Sequence, residues 1–231
     1  MDNRYYFENL DNGIVKLTDG EAQHLSRVRR AQVGDEIVAF NGDGFDYLLR
    51  IDEIKKDFVL ASLIEKKENR AQNDANIVVY LAMLKNEALT TTIDHLAELN
   101  VKEVKLFKSD FSVANIEEKK LDKLKNISIQ ASKQSERATI MDISIINKKD
   151  IENDIAKFGN RFFAYEDSTG KIENFSGDFA VIIGPEGGFS PDEVKNFSSF
   201  TNNVSLGKTI LRAEVASVVA VATLKAVRNE G

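Results

Sequence analysis

The sequence predicts an α/β protein of two domains, in which a small β-barrel precedes a mostly parallel sheet with helices on both faces. Short β-like runs separated by turn residues fill residues 1–64, a spacing typical of small barrels. The polar stretch 65–74 indicates a linker. From Asn76 onward, strand-like runs alternate with helical patterns, which is typical of a parallel sheet covered on both faces. We therefore expect domains at 1–68 and 74–231.

Local signals place the elements of the first domain. Thr18 and Glu21 have capping-box spacing, which predicts a short helix through about Arg30. Asn41-Gly42-Asp43-Gly44 separates two apolar runs and predicts a hairpin turn between them. The strand-like runs of this domain are 14–17, 35–40, 45–51 and 58–64.

In the second domain, apolar runs of strand length alternate with residues at helical spacing. Asn115 and Glu118 predict the N-terminal cap of a long helix that runs toward Arg137. The last helix, from about Ala213, is apolar nearly all round, so we expect it to be buried in the core or against a second subunit. The predicted strands are 77–84, 101–107, 143–146, 162–165, 179–183 and 203–206, and the other predicted helices are 89–99, 149–158 and the one that begins after Ser190.

The composition excludes several classes of site. The chain has 231 residues, a formal net charge of −6 and no cysteine, so disulfides and thiolate metal sites are excluded. Its two histidines, His24 and His95, are far apart in sequence, and we expect no metal centre. The first residues lack the apolar core of a signal peptide and no apolar run reaches membrane-spanning length, so we expect a cytoplasmic protein. The acidic balance argues against indiscriminate nucleic-acid binding but leaves room for a local basic patch.

The stretch 179–193 carries the strongest signal for a ligand site. A strand-like apolar run breaks into Gly184, Pro185, Gly187 and Gly188, and a helix start follows at Ser190. Glycines let a ligand approach the main chain, and ligands gather at such strand ends in open α/β sheets. A tight connection without a ligand explains the glycines equally well, and the pattern alone does not decide between the two.

A second glycine-bearing loop is predicted at 205–212. Gly207-Lys208-Thr209 resembles the tail of a phosphate-binding loop, but Asn202 stands where that motif needs glycine, so we reject it. Together the two loops could present main-chain groups to an adenine edge in an apolar pocket. Arg212 and Glu214 then begin the apolar last helix, either as a local ion pair or facing a pocket.

Two polar clusters could contact RNA. Arg27, Arg29 and Arg30 crowd the end of the first short helix, and Lys133, Gln134, Ser135 and Arg137 crowd the end of the long helix. Such clusters more often solvate a surface or complement a helix C-terminus. On an acidic protein they are nevertheless the places where a phosphate backbone could rest.

The chain resembles the ribosomal RNA small subunit methyltransferase E family, the uracil-N3 methyltransferases of the SPOUT superfamily. The residues that carry the resemblance are 183–190 and the set Ser205-Leu206-Gly207, Ile210-Leu211-Arg212 and Glu214. Supporting matches, in family order along nearly the whole chain, are His24-Leu25 to Val28-Arg30, Gly34-Asp35, Gly42-Asp43-Gly44, Glu98-Leu99 and Gln134-Ser135 with Arg137.

The resemblance implies a PUA-like barrel, a C-terminal trefoil knot, S-adenosylmethionine as methyl donor, a homodimer and a 16S rRNA uridine near the decoding centre as substrate. For such a reaction we expect Arg212 and Glu214 to act in catalysis, and the two polar clusters supply the expected RNA contacts, Arg27, Arg29, Arg30, Lys133, Gln134 and Arg137. The adenosyl pocket would be formed by Gly184, Glu186, Gly187, Leu206, Gly207, Ile210 and Leu211.

Four positions depart from the family pattern: Asn100 replaces a glycine, Lys133 an acid, and Ala213 and Val215 the threonines that usually flank Glu214. The last change removes two hydroxyls beside the expected site. Three other functions therefore stay open: a ribose 2′-O-methyltransferase of the same superfamily, an RNA-binding assembly factor without activity, and a plain metabolite-binding protein.

Overall fold

The computed structural model describes residues 4–71, 75–114 and 119–229. The chain forms two compact units. Unit 1 consists of the described residues within Met1–Asn73 together with Ser132–Ile140, and unit 2 consists of those within Asp74–Ala131 and Met141–Gly231. Residues 132–140, which we predicted to belong to the second domain, thus make their contacts with unit 1. The predicted cap at Asn115 and Glu118 lies outside the described residues.

Unit 1 is built around a six-stranded sheet with the order β1-β4-β5-β6-β3-β2. All its neighbouring strands are antiparallel except β1 and β4, which are parallel. Alternate residues of β3 point inward, with Val15 and Leu17 buried, as a sheet with one covered face requires. The strands are β1 Arg4–Tyr6, β2 Leu10–Asp11, β3 Ile14–Thr18, β4 Glu36–Phe40, β5 Phe45–Ile54 and β6 Phe58–Glu68.

The predicted hairpin at 41–44 is confirmed, since β4 and β5 pair in antiparallel register on either side of it. The linker prediction is wrong for 65–68, which continue β6 and pair with the first residues of β5. Polarity misled here because these residues lie on exposed strand positions. Lys66 shows what holds them: its ammonium lies over the rings of Phe45 and Tyr47 and forms an ion pair with Asp43 at 3.0 Å.

The predicted first helix exists but is irregular. It consists of α1, Asp19–Gln23, and a π-helical turn, His24–Val28. Thr18 occupies the N-cap position without a side-chain capping hydrogen bond, so the predicted capping box does not form.

Unit 2 contains a six-stranded sheet with the order β13-β10-β12-β7-β8-β9, and every pair in it is parallel. A further two-stranded sheet, β11 with β14, was not predicted. The strands are β7 Ile77–Ala82, β8 Glu103–Phe107, β9 Asp142–Ile145, β10 Asn160–Ala164, β11 Phe175–Ser176, β12 Phe179–Ile183, β13 Asn202–Val204 and β14 Arg228–Asn229. The helices are α2 Asn86–Glu98, α3 Lys119–Gln134, α4 Ile151–Ile155, α5 Pro191–Ser198 and α6 Ala213–Val227, with a 3-10 turn at Lys148–Asp150.

Helices cover both faces of this sheet, as predicted. Ile77, Val79 and Leu81 of β7 pack in a core with residues of α2, α3 and α6. The alternate residues Val78 and Tyr80 pack in a second core with residues of α4 and α5. Because the central strands are buried on both faces, they read as continuous apolar runs, which explains why the pattern found them.

Within the described ranges, no helix has the length and apolar character needed to cross a membrane.

Candidate functional site

Four neighbouring strands of the parallel sheet, β13, β10, β12 and β7, end at one edge, and the segments that follow them line a single cavity of about 890 Å³. Carboxyl ends of parallel strands meet at the same edge, and ligands of open α/β sheets bind there. The cavity therefore lies where the topology of unit 2 favours a ligand.

The loop that follows β12, residues 184–190, forms one wall of the cavity and is tightly packed. Phe189 turns inward and contacts Phe163 and Phe197 edge-on, with ring centroids 4.9 and 5.6 Å apart. A Cβ built on Gly184 would lie 2.7 Å from the Phe189 ring, so only glycine fits beside it. The predicted start of α5 is confirmed: Ser190 caps the helix, Pro191 is its first residue, and Ser190 and Glu193 form a reciprocal capping box.

Glu193 ties this loop to two other segments. Its side chain is only 3% exposed and accepts hydrogen bonds from Ser109 Oγ and from the main-chain N–H groups of Asp110 and Ser190, each at 3.0 Å. Lys148 Nζ lies 3.0 Å from the same carboxylate and also contacts Asp110. The charge of a buried carboxylate is thus balanced by a cation and several donors, the arrangement that makes its burial tolerable.

The ionisable partners of Glu193 shift each other. Hydrogen bonds from Lys148 and then from Ser190 hold the pKa of the Asp110 carboxyl below its usual value. Burial opposes the charge of Lys148, but hydrogen bonds to Asp110 and Glu193 outweigh it and raise the pKa of the ammonium. Both pKa shifts favour the charged forms of Asp110 and Lys148, which form an ion pair.

Glu186, at the centre of the glycine loop, accepts a hydrogen bond from the main-chain N–H of Lys85 at 3.0 Å. Lys85 precedes α2 and lines the same cavity. The loop after β12 and the segment after β7 are therefore connected directly by this carboxylate.

The second glycine loop, residues 205–212, forms the opposite wall and is loosely held. Its entry is anchored by Ser205 N–H, which donates to Gly170 O at 2.8 Å. Farther along, Ser205 Oγ accepts from Gly207 N–H at 3.3 Å, and Gly207 has a φ of +126°. Ile210 lines the cavity, yet 86% of its surface is exposed.

Arg212 and Glu214 stand where this loop becomes α6. Arg212 is the N-cap residue and makes no side-chain capping hydrogen bond, and Glu214 lies in the first helical turn. Both line the cavity. Of the two sequence alternatives the structure favours the pocket, since these residues, both within the described ranges, form no ion pair with each other.

Around this cavity the structure brings together all the residues that the sequence analysis assigned to the adenosyl pocket and to catalysis. It adds residues that the sequence analysis did not assign to the site, and half of them lie at or beyond the ends of β7 and β10. The rule that parallel strands end at one edge could have found them. The lining residues outside the predicted site set are Lys85, Glu87, Ala88, Thr91, Ala164, Tyr165, Glu166, Ile183, Pro185, Gly188, Phe189, Thr209, Ala213 and Ala216, of which Pro185, Gly188 and Ala213 had been noted beside the site.

The predicted RNA-binding residues all belong to unit 1, and they differ in availability. Arg27, Arg30 and Gln134 are exposed, and Arg29 is half-buried. Lys133 is held by Glu21, with its ammonium 2.7 and 2.9 Å from the two carboxylate oxygens.

The prediction for Arg137 assumed an exposed guanidinium and needs correction. The side chain is 2% exposed and donates to Thr139 Oγ1 at 3.0 Å. Since a buried guanidinium cannot reach a phosphate backbone at the surface of unit 1, we assign Arg137 to the packing of that unit.

Asp94, His95 and Glu98 of α2 place one ligand atom each within 4.8 Å of one another, with His95 Nδ1 3.7 Å from Glu98 Oε2. Exposed acidic groups of this kind are common without an ion. The absence of a metal centre stays a prediction.

Comparison with known proteins identifies the family. A protein-family model described as RNA methyltransferase domain matches residues 71–225. A second family model, described as RNA methyltransferase PUA domain, matches residues 17–64. A ribosomal RNA small subunit methyltransferase E from Rickettsia conorii is 30% identical in an alignment 240 residues long, which covers 96% of this chain and 95% of that protein. The chain belongs to the ribosomal RNA small subunit methyltransferase E family.

Solved structures agree with this membership of the methyltransferase E family. A protein of that name from Neisseria gonorrhoeae, bound to S-adenosylmethionine, is 26% identical, with a TM-score of 0.84 and coverage of 99% of this chain and 98% of its own. A putative methyltransferase from Legionella pneumophila, also with S-adenosylmethionine bound, is 25% identical, with a TM-score of 0.88 over the whole of both chains.

Proposed function

We propose that this protein transfers a methyl group from S-adenosylmethionine to N3 of a uridine in 16S rRNA near the decoding centre, with the assembled small subunit as substrate. The observation that carries the proposal is the cavity between the two glycine loops, in a chain of this family. The proposal requires a location where small subunits are present, for which the cytoplasm is the natural compartment.

The residues of the cavity fit the methyl donor. Its volume of about 890 Å³ lies within the usual range for small-molecule pockets. Leu206, Ile210 and Leu211 offer apolar surface to an adenine ring, while Gly184, Gly187 and Gly207 expose main-chain groups for its polar edge. Burying the exposed Ile210 against the ring would stabilise the bound donor by removing apolar surface from water.

S-adenosylmethionine supplies an electrophilic methyl group on a sulfonium and leaves as a neutral thioether, so the leaving group needs little acid assistance. The protein has to align uracil N3 with that methyl and accept the N3 proton as the N–C bond forms. We propose that Glu214 accepts the N3 proton or orients the N3–H group. We assign to Arg212 the stabilisation of negative charge that develops on the uracil oxygens. Glu186 holds the loop in place by its bond to Lys85.

The proposal includes a trefoil knot. One close approach supports it: a Cβ built on Gly170 would lie only 1.8 Å from Asn203 O, so the segment before β11 passes directly against β13. A knot requires the chain to thread through a loop, which brings backbone segments this close together, whereas connections in most folds do not thread loops.

We also propose a homodimer. Helix α6 buries Ala213, Ser217, Ala220, Val221 and Leu224 against the sheet. Its other side is apolar as well, yet it is left partly exposed, with Val215 43% exposed. An apolar surface of this kind on a helix is typical of a subunit interface.

The substrate RNA has to present an unpaired or flipped uridine, because N3 lies on the Watson–Crick edge. For its contacts to unit 1 we propose Arg27, Arg29, Arg30 and Gln134, with Lys133 contributing only if it leaves Glu21.

Methyl transfer from labelled S-adenosylmethionine to unmodified small subunits, and separately to naked 16S rRNA, tests the proposal. We expect one N3-methyluridine, mapped by reverse-transcription stops and nucleoside mass spectrometry. Glu214→Gln should lower the single-turnover rate by roughly 10²–10⁴-fold, with donor affinity unchanged. Product on a ribose, which leaves the pairing edge free, would support the 2′-O alternative. Donor binding without any transfer would support the assembly-factor alternative.

A further inference from the structure

Phe111 differs from every other aromatic side chain of the protein. The chain has 14 phenylalanines, five tyrosines and no tryptophan, all within the described ranges, and the rest are buried or half-buried. Phe111 alone is exposed, at 49%. No aromatic ring of the described residues lies against it. An exposed ring that folding has not used is available to a ligand.

The turn that carries Phe111 is held on both sides, so the ring is presented in a fixed place. Ser109 and Asp110 are bound to the buried Glu193, and the Asp110 carboxylate accepts from Ser190 Oγ at 2.6 Å. On the other side, Ser112 Oγ accepts from Ser109 N–H at 3.2 Å, and Ser112 N–H donates to Ser109 O at 3.1 Å. Ordering the turn in advance lowers the entropy that binding would otherwise cost.

Phe111 also lies at the candidate active site. A Cβ built on Gly187, which lines the donor cavity, would be 3.2 Å from Phe111 Cβ. The next exposed apolar residue, Val113, lines a shallow groove together with Lys85 and Lys120. Lys85 borders the donor cavity as well, so the groove continues from it.

We propose that Phe111 is a stacking platform for an unpaired base of the RNA substrate, with Lys85 and Lys120 binding the adjoining phosphates. This inference rests on the proposed function, whose substrate it describes in more detail. Stacking on aromatic side chains beside a cationic groove is the usual way in which proteins hold single-stranded RNA. Asp110, the nearest acid in the sequence, does not oppose this, because Lys148 neutralises it.

A tryptophan variant reports stacking directly. Phe111→Trp would carry the only tryptophan of the chain, so its fluorescence comes from the platform alone. We expect oligouridylate to quench it, whereas an abasic ribose-phosphate oligomer of the same length and S-adenosylmethionine alone leave it unchanged. Absence of quenching by oligouridylate at concentrations that bind the protein overturns the proposal.

Three further variants separate stacking from packing. Phe111→Ala and Phe111→Leu both keep the Cβ that approaches Gly187, but neither has a ring. We expect each to weaken oligouridylate binding and to raise KM for small subunits roughly 5- to 150-fold, with little change in kcat. Phe111→Trp should retain the wild-type values. Ile145→Ala, which truncates another exposed apolar side chain at the end of β9, is the matched control. It should change neither oligouridylate binding nor KM for small subunits.

Two measurements keep the result specific. Donor affinity from calorimetry should be the same in all variants, since a collapsed glycine loop would lower it. The oligomeric state should also be the same: if Phe111→Ala alone dissociated the protein, the ring would belong to an interface between copies and the proposal would be wrong. Quenching with no methyl transfer by the wild type would overturn the proposed function and leave the platform standing. Methyl transfer by Phe111→Ala with the KM of the wild type would overturn the stacking proposal and leave the proposed function standing.

Discussion

The two glycine loops that border the cavity are alike in sequence character and differ in how they are held. The loop after β12 is packed by the Phe189 ring, capped by Ser190 and connected through Glu193 to two other segments. The loop after β13 is anchored at its entry by Gly170, and beyond that point Ile210 extends into solvent. One wall of the cavity is therefore built by folding, and the other has few contacts of its own.

This difference teaches that glycine serves two purposes at the same site. In the first loop, glycine makes room for a neighbouring side chain that is already in place. In the second loop, Gly207 has open space where a Cβ would lie, and its positive φ sets the path of a loosely held chain. We expect the first loop to determine stability and the second to respond to the ligand, as lightly held segments near a site often do.

The largest effect is expected at the anchor of the second loop. Gly170→Ala would place a Cβ 1.8 Å from Asn203 O, a backbone atom that cannot move aside cheaply. We expect the free energy of unfolding to fall by more than about 3 kcal/mol, measured by urea denaturation. The control is Gly159→Ala, where a Cβ meets nothing within 4 Å. Equal stability of the two variants would contradict the close approach of Gly170 to Asn203.

Glu193→Gln tests the connection that holds the first loop. The amide would bring a donor toward groups that all donate to Glu193, so we expect a loss of about 2–4 kcal/mol. The affinity for S-adenosylmethionine should fall as well, because the glycine loop ends at this helix. Asp192→Asn, exposed in the same first turn, should leave both quantities unchanged. A fully stable Glu193→Gln would mean that the first loop is held by packing alone.

A pair of alanine variants compares the two loops directly. Gly184→Ala forces a Cβ against the Phe189 ring, and we expect it to cost about 1–3 kcal/mol of stability. Gly207→Ala meets no atom, but alanine is strained at a φ of +126°. Because the loop is loosely held it can relax away from that angle, so the stability of this variant should change by less than about 1 kcal/mol. Its affinity for S-adenosylmethionine should nevertheless fall by roughly tenfold, about 1.4 kcal/mol, in calorimetry. Equal stability losses in the two variants would remove the distinction between the loops.

The smallest effect is a pH dependence confined to the first loop. Because the pKa of Asp110 is lowered in the folded protein, its carboxylate stabilises the fold above the unfolded-state pKa, and that contribution is lost as pH falls through the folded-state value. Asp110→Asn should therefore be less stable than the wild type at neutral pH, with the difference vanishing well below pH 4. The difference should be under about 1 kcal/mol, since the carboxylate is exposed. A stability difference between the wild type and Asp110→Asn that increased as the pH fell would contradict this prediction.

Much of the fold could be predicted because the signals are local. The central strand β12 is apolar throughout and buried throughout, and Ser190, Pro191 and Glu193 specify the start of α5 within four residues. The strand end at 65–68 was missed because its stability comes from cross-strand partners such as Phe45 and Tyr47, which polarity cannot reveal. The predicted RNA contact Arg137 failed for a similar reason: an arginine in a polar cluster gives no sign that it is buried against Thr139.

By itself the sequence determined the order of strands and helices, the two glycine loops and, through its motifs, the family, because each depends on residues near one another in the chain. Only the tertiary structure decided which residues share the cavity, how firmly each loop is held and which single aromatic ring faces water. Those properties depend on contacts between distant residues, such as Ser109 with Glu193 and Gly170 with Asn203. Such contacts exist only once the parallel sheet has brought its carboxyl ends together.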